Sequence, residues 1–554
     1  MAALGPVLFL GACARPAVTR SSVPLLPRSA PPWPSRHVLV LAYHDVEDTD
    51  PDPRFMSVRT DHLVEHFSWL RENGYEPVSV ARLVQAQQGT VPLPAKPVLL
   101  TFDDGYASFL TRVLPLLKAF HWPAVLAPVG QWTDNPLADT VNFGGQAVPR
   151  SRFLTWPDIQ AIHRSGLVEI AAHTNNLHYG TPGNPQGNLQ PAAAVHRYLD
   201  KQRRYETGQE FSARLQSDGR AIADKIAHAT GMRPRVWVWP YGEANGTAIN
   251  ALSREGYDLF FTLDWGLANL DTPHNLTRLL ITRDPGVNEF AATLLEFEQR
   301  QTTRALLIDI DPLYHPDPAQ SDKLLGMLVQ YIADLNITTV YLDAFSAPAG
   351  PLAARAGYFP NRHIPVKADL FNRVAWQLRS RAGVKVYAHI PLTDLRGESG
   401  VLSHEQRLQV YDDLADRSVF AGVLFDATDV SGNPLRLAEL REITERIQQR
   451  RGPQVKSAVL VQQTGLFTEQ ERQVAEVDHV LFLDTPVPAG SDPDHAVQVV
   501  GTGAREPAVA AARLEALHRS GAQHLALYPQ PLFPLPGLTD IRPALSHAWY
   551  PYHD

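Results

Sequence analysis

Short apolar runs alternate with amphipathic stretches of helical period from residue 38 almost to the end of this chain. In the first half the runs fall at 38–43, 98–102, 123–128, 168–172, 235–239, 258–262 and 278–282, with helical patterns between them, as at 61–73 and 107–120. Such alternation predicts parallel strands joined by crossover helices. Seven runs predict an α/β unit folded as a distorted (β/α)7 barrel. The second half repeats the pattern at 305–310, 338–343, 385–390, 420–425, 457–462, 479–483, 496–500 and 523–528, and these eight runs fit a (β/α)8 barrel. A short polar stretch at 295–303 joins the halves. The resulting division is 1–36, 37–295 and 304–554.

Length agrees, since 554 residues exceed one ordinary core. A net charge of −8 argues against a nucleic-acid partner, which usually demands a basic surface. Cys13 is the single cysteine, so no intramolecular disulfide and no thiolate metal cluster can form. The segment Leu10-Gly11-Ala12-Cys13 resembles a bacterial lipobox, which implies a lipidated Cys13. Residues 14–36, with Pro16, Pro24, Pro27, Pro31, Pro32 and Pro34, read as a semi-rigid tether behind it. The run before Cys13 is too short to span a bilayer, and no later run is long and apolar enough, so membrane contact is expected through the lipid anchor only.

Candidate chemistry collects at the ends of the first-half strands. Thr101-Phe102-Asp103-Asp104-Gly105 closes the second run, and adjacent carboxylates there point to opposite faces. Asp-Gly after a strand is also ordinary turn chemistry. The fourth run ends at His173, and His178 follows in a loop rich in Asn, Gly and Pro. Two imidazoles and one carboxylate would give three protein ligands with an open position for water. His44-Asp45 closes the first strand and Pro240-Tyr241 the fifth, which places polar groups at the carboxyl ends of several strands of one barrel.

On these motifs, residues 36–290 resemble the polysaccharide deacetylase family, with Thr101 to Tyr106 as the most specific match. The resemblance implies that Asp103 is the general base, that Asp104, His173 and His178 hold one divalent ion (zinc, nickel, cobalt or ferrous iron), and that a backbone N–H near Tyr106 receives the oxyanion. The five-residue spacing from His173 to His178, with Tyr43-His44-Asp45, is similar to the branch that deacetylates poly-β-1,6-N-acetylglucosamine, a biofilm exopolysaccharide. By that likeness His44 is the general acid, Arg235 orients the base, and Tyr106, Trp237, Trp239 and Tyr241 bind the sugar. It also implies a periplasmic enzyme on an outer-membrane lipid anchor, passing its product to outer-membrane export machinery. Another metal-dependent amidase, acting on peptidoglycan or chitin oligomers, is the alternative.

The second half has its own acidic set: Asp309 and Asp311, Asp343, Asp426 and Asp484 lie at strand ends, beside Tyr341, Phe345, Tyr387, Phe425 and Tyr528. Paired carboxylates among aromatics suit glycoside hydrolysis. The resemblance extends here and implies an endo-glycosidase for the partly deacetylated polymer. Asp484 leads as the acid, Asp311, Asp343 and Asp426 support it, and Tyr341, Phe345, Tyr387 and Tyr528 stack on sugars. A barrel that only binds and guides the polymer is the competing reading.

Overall fold

A computed structural model describes residues 33–134, 137–298, 302–346, 356–392, 395–397, 400–428, 437–463, 467–503, 507–535 and 537–545. Cys13 and the tether before Trp33 lie outside the described residues.

All seven first-half strands form: β1 (His37–Tyr43), β2 (Pro97–Asp104), β3 (Ala124–Pro128), β4 (Val168–Ile170), β5 (Val236–Val238), β6 (Leu259–Phe261) and β7 (Leu279–Leu280). The order β7-β1-β2-β3-β4 is parallel throughout, and β5 pairs with β6. A single bridge from Ala172 to Trp237 connects β4 to β5, so the closure is thin there and the barrel is distorted. Every residue of β2 is buried, as a continuous apolar run with neighbours on both sides requires. Helix α1 (Thr60–Glu72) buries Leu63, His66, Phe67 and Leu70, one stripe at helical spacing. Helix α2 (Gly208–Thr230) starts at a reciprocal Thr207/Glu210 capping box and ends at Gly231 in the left-handed region.

In the second half, β8 (Arg304–Ile308), β9 (Thr339–Asp343), β10 (Lys385–Pro391), β11 (Gly422–Asp426), β12 (Lys456–Val461), β13 (His479–Leu483), β14 (Ala496–Gly503) and β15 (His524–Gln530) close into a parallel barrel. Strand alternation splits its core into two layers. Ala305, Leu307, Tyr341, Tyr387, Leu424, Leu460, Leu481 and Val499 fill the interior. Leu306, Ile308, Val340, Leu342, Val423 and Phe425 pack outward against the helices. The interior is therefore a packed core, and polar groups at the strand ends are left to form the mouth.

Candidate functional site

The first-half strands end around a cavity of about 520 Å³ lined by His44, Asp103, Asp104, His173, His178, Trp239 and Tyr241. Asp104 ends β2 with φ +69°, and Gly105 follows at φ +80°. A Cβ on Gly105 would meet the Pro128 Cβ at 2.9 Å, so glycine is required for this close turn. The turn aims the two carboxylates differently. Asp103 accepts both arms of the fully buried Arg278, at 2.8 and 2.9 Å. Asp104 accepts the Tyr106 hydroxyl on Oδ2 at 3.2 Å, while its buried Oδ1 has no hydrogen-bond partner. His173 Nε2 and His178 Nε2 face that oxygen at 3.5 and 3.4 Å.

The donors of Asp104, His173 and His178 all lie within 4.8 Å of one another. Ligands bound at ~2.1 Å around a tetrahedral ion stand roughly 3.4 Å apart, so the carboxylate–imidazole spacings fit a divalent cation. His173 donates Nδ1–H to the Val238 carbonyl at 2.8 Å, which leaves the Nε2 lone pair for the metal. Asp218 of α2 fixes the intervening loop, accepting from Thr174 Oγ1 at 2.5 Å and from the backbone N–H of Asn175 and Asn176 at 2.8 and 2.7 Å. The His178 ring is clasped between Trp132 and Tyr241, with centroids 4.9 and 4.6 Å away.

Electrostatics separate the two carboxylates from their surroundings. Burial alone would raise the Asp103 carboxyl, but Arg278, with His173 and His44, outweighs it and holds Asp103 below the ordinary carboxylate range. Burial also opposes ionisation of Asp104, and His178 and His173 bring it well below that range. Burial lowers the His178 imidazole to about 4 and also depresses His44, against the pull of Asp104 and Asp103. His173 is raised, its burial overcome by Asp104 and Asp103.

Several expected residues sit elsewhere. Arg235 immediately precedes β5, at the end opposite the cavity, and donates to Glu169 at 2.9 and 3.0 Å, away from Asp103. Arg278 takes the place expected for it, and its sequence signal was a lone arginine heading the apolar run 278–282. Trp237 is fully buried against Tyr257, facing the core rather than a sugar. Trp239 reaches the cavity lining although it too is almost wholly enclosed. Tyr106 is covered by the stacked Phe153 ring, so it braces Asp104 and presents no open face.

At the barrel mouth, burial and the facing carboxylates Asp309, Asp343 and Asp426 raise the Tyr528 phenol, which places these groups around it. Asp426 accepts Thr428 N–H and Oγ1–H at 2.9 and 2.6 Å and lies 3.5 Å from His389 Nε2. Burial resists its charge, yet His389 and Thr428 hold Asp426 well below the ordinary range. Asp311 accepts from Tyr358 Oη at 2.5 Å and Lys367 Nζ at 2.7 Å. Asp343 is buried and accepts the Phe345 N–H at 3.1 Å. Asp484 accepts from Arg513 at 2.6 Å and the Gly501 N–H at 3.0 Å. Tyr341 and Tyr387 lie inside the barrel with ring centroids 5.1 Å apart, and Phe345 is buried against Phe359. These three rings belong to the packed core, which removes them from the expected sugar-stacking set.

Residues 90–260 match the family model described as Polysaccharide deacetylase, and residues 307–409 that described as Hypothetical glycosyl hydrolase family 13. The first half thus carries a polysaccharide deacetylase domain, and the second a glycosyl hydrolase-like barrel. More particularly, the chain is 44% identical over 422 residues to the Poly-beta-1,6-N-acetyl-D-glucosamine N-deacetylase of Escherichia coli K12, a match covering 71% of this chain and 63% of that protein. The chain therefore spans somewhat less than two thirds of that relative. The solved deacetylase domain of BpsB from Bordetella bronchiseptica is 39% identical, with a TM-score of 0.42 over 46% of this chain and 99% of that one. The PgaB (BpsB) glycoside hydrolase domain from the same organism is 23% identical, with a TM-score of 0.38 over 45% of this chain and all of that one.

Proposed function

We propose that this protein is a metal-dependent N-deacetylase of poly-β-1,6-N-acetyl-D-glucosamine whose barrel then hydrolyses the partly deacetylated chain. The observation that supports it most is the partnerless Asp104 Oδ1 facing two imidazole Nε2 atoms, next to a second carboxylate held by Arg278. Substrate identity follows the similarity to the E. coli relative. Asp104, His173 and His178 would hold a divalent ion (zinc, nickel, cobalt or ferrous iron suit the donors), which would supply Lewis-acid activation of the acetamide carbonyl and of the attacking water. Asp103, kept ionised by Arg278, takes the proton of that water. His44 hands a proton to the departing amine; a depressed imidazolium gives up its proton more readily, although it is charged less often. Trp239 and Tyr241 line the cavity beside these groups.

The test is metal content and acetate release, compared between wild type and His178→Ala. We expect the variant to lose stoichiometric metal and to release acetate at a rate lower by about a hundredfold or more. Unchanged values would remove the three-ligand site. Preference for a β-1,4 over a β-1,6 acetylated oligomer would point instead to another amidase.

In the barrel, Asp484 is the leading acid, with Asp311, Asp343 and Asp426 in support. The ion pairs of Asp484 with Arg513 and of Asp311 with Lys367 favour a second reading, in which the barrel only binds and guides the polymer. Wild type and Asp484→Ala together separate the two: wild type that shortens no polymer would leave the binding role, and shortening that persists unchanged in Asp484→Ala would remove Asp484 as the acid. The same proposal places the protein in the periplasm, anchored to the outer membrane through lipid on Cys13 and delivering to export machinery there. Among the described residues no helix is long and apolar enough to cross a membrane.

A further inference from the structure

We infer that the barrel is part of the metal site's construction: Arg379, acting through Glu243, positions Tyr241 against His178. Tyr241 lines the cavity with 46% of its surface exposed, and it occupies the left-handed region at φ +58°. That conformation is strained for a tyrosine and persists only where its surroundings impose it. Beside the ring's contact with His178, a restraint comes from the segment that follows. Gly242 N–H donates to Trp239 O at 3.0 Å, and Glu243 N–H to Pro240 O at 3.4 Å. These bonds form one tight turn and fix Tyr241 relative to Glu243.

Glu243 is itself buried, and its partners come from the other half of the molecule. Arg379, on the barrel helix α3 (Phe371–Ala382), donates to its Oε2 at 2.8 Å. Arg451, almost fully buried at the end of the barrel helix running Leu437–Arg451, adds a second positive charge facing it. Asp264, also of the deacetylase half, faces Arg379 and Lys385 in the same way. The cations that face Glu243 and Asp264 all come from the barrel. Just beyond Glu243, the helix Gly246–Ser253 begins against the barrel backbone. A Cβ on Gly246 would stand 2.6 Å from both the Gln448 and Gln449 carbonyl oxygens, so only glycine permits this approach.

The chain of restraint therefore runs from a barrel arginine, through a buried glutamate and a three-residue turn, to the ring 4.6 Å from a metal ligand. No residue in it touches the reacting atoms except Tyr241, so Arg379 and Glu243 are positioning residues. The inference rests on the deacetylase reading for its kinetic arm only.

The test uses the full chain, with Arg379→Met and Arg379→Lys made in wild type and in a Tyr241→Ala background. Chelator-stripped protein is titrated with cobalt(II), and KM and kcat are measured for acetate release from a β-1,6-linked N-acetylglucosamine oligomer. We expect Arg379→Met to raise the cobalt Kd and the KM each by about fivefold, to leave kcat within about twofold, and to add less than about twofold once Tyr241 is alanine. Arg379→Lys should recover part of both losses. Unchanged cobalt Kd and KM, or losses that multiply in full on Tyr241→Ala, would overturn the inference. Should Arg379→Met fail to fold, Glu243→Gln, which keeps the shape of the contact, carries the same comparison. Wild type that binds cobalt but releases no acetate would defeat the proposed activity, while the cobalt series would still decide this inference.

Discussion

Asp103 and Asp104 are neighbours in sequence with opposite tasks, and the difference comes from what each side chain meets. Asp103 meets a guanidinium that donates to both of its oxygens. Asp104 meets two imidazoles and keeps one oxygen without a hydrogen bond. Removing one member of a buried ion pair leaves an uncompensated charge and costs about 3–5 kcal/mol. Arg278→Met is therefore expected to lower stability by that order, measured by urea unfolding. Its pH signature has a definite sign. With Arg278, the depressed Asp103 carboxyl contributes stability above the unfolded carboxyl's pKa, and this is lost as pH falls through the folded value. Without Arg278, burial raises that carboxyl, so the acid limb of acetate release should move to higher pH. A limb that stays in place would show that Asp103 is not the titrating base.

Helix α1 shows how an element can be legible while its buried chemistry is not. The periodic stripe at 61–73 announces the helix, and the structure forms it over Thr60–Glu72. His66 within that stripe is fully buried, donates Nε2–H to the Pro285 carbonyl at 2.8 Å, accepts the Tyr43 hydroxyl on Nδ1 at 3.2 Å, and stacks on Phe290 of the helix Val287–Glu298 at 4.0 Å. Both ring nitrogens are used in the neutral form. Burial accordingly lowers the imidazole from 6.5 to about 4. Between those values the unfolded chain binds the proton more readily, so stability rises with pH. Acidification from pH 6.5 to 4 should cost about 3 kcal/mol through this residue alone. His66→Gln is expected to flatten that part of the stability–pH curve; an unaltered slope would exclude it. Strand β5 teaches the converse lesson. Arg235 and Tyr241 are six positions apart, but a strand has two ends, and only its carboxyl end meets the cavity.

Across the chain, two mouths of carboxylates serve one proposed polymer in sequence. The first would expose an amine, and the second presents Asp309, Asp343 and Asp426 around Tyr528, a setting that favours a cation. The order of action is open to test. With fully acetylated polymer, Asp103→Asn should stop both acetate release and shortening; with polymer deacetylated beforehand, it should shorten the chain as wild type does. Shortening of the acetylated polymer by Asp103→Asn would break the proposed dependence of the second site on the first.

Period and composition were enough for the fifteen strands, because a strand buried on both faces must be a continuous apolar run and a barrel repeats that demand. Local motifs likewise brought out Asp103, Asp104, His173 and His178, since strand ends carry the polar groups that a packed interior rejects. Partners were beyond that reach. Arg278 lies 175 positions from Asp103, and Arg379 lies 136 from Glu243; contacts so distant leave no local pattern and exist only once the sheet and the barrel have closed. The same closure decides which aromatic rings are wall and which are core. Trp237 and Trp239 point to the same side of one strand, yet just the second reaches the cavity, because it stands where the strand ends.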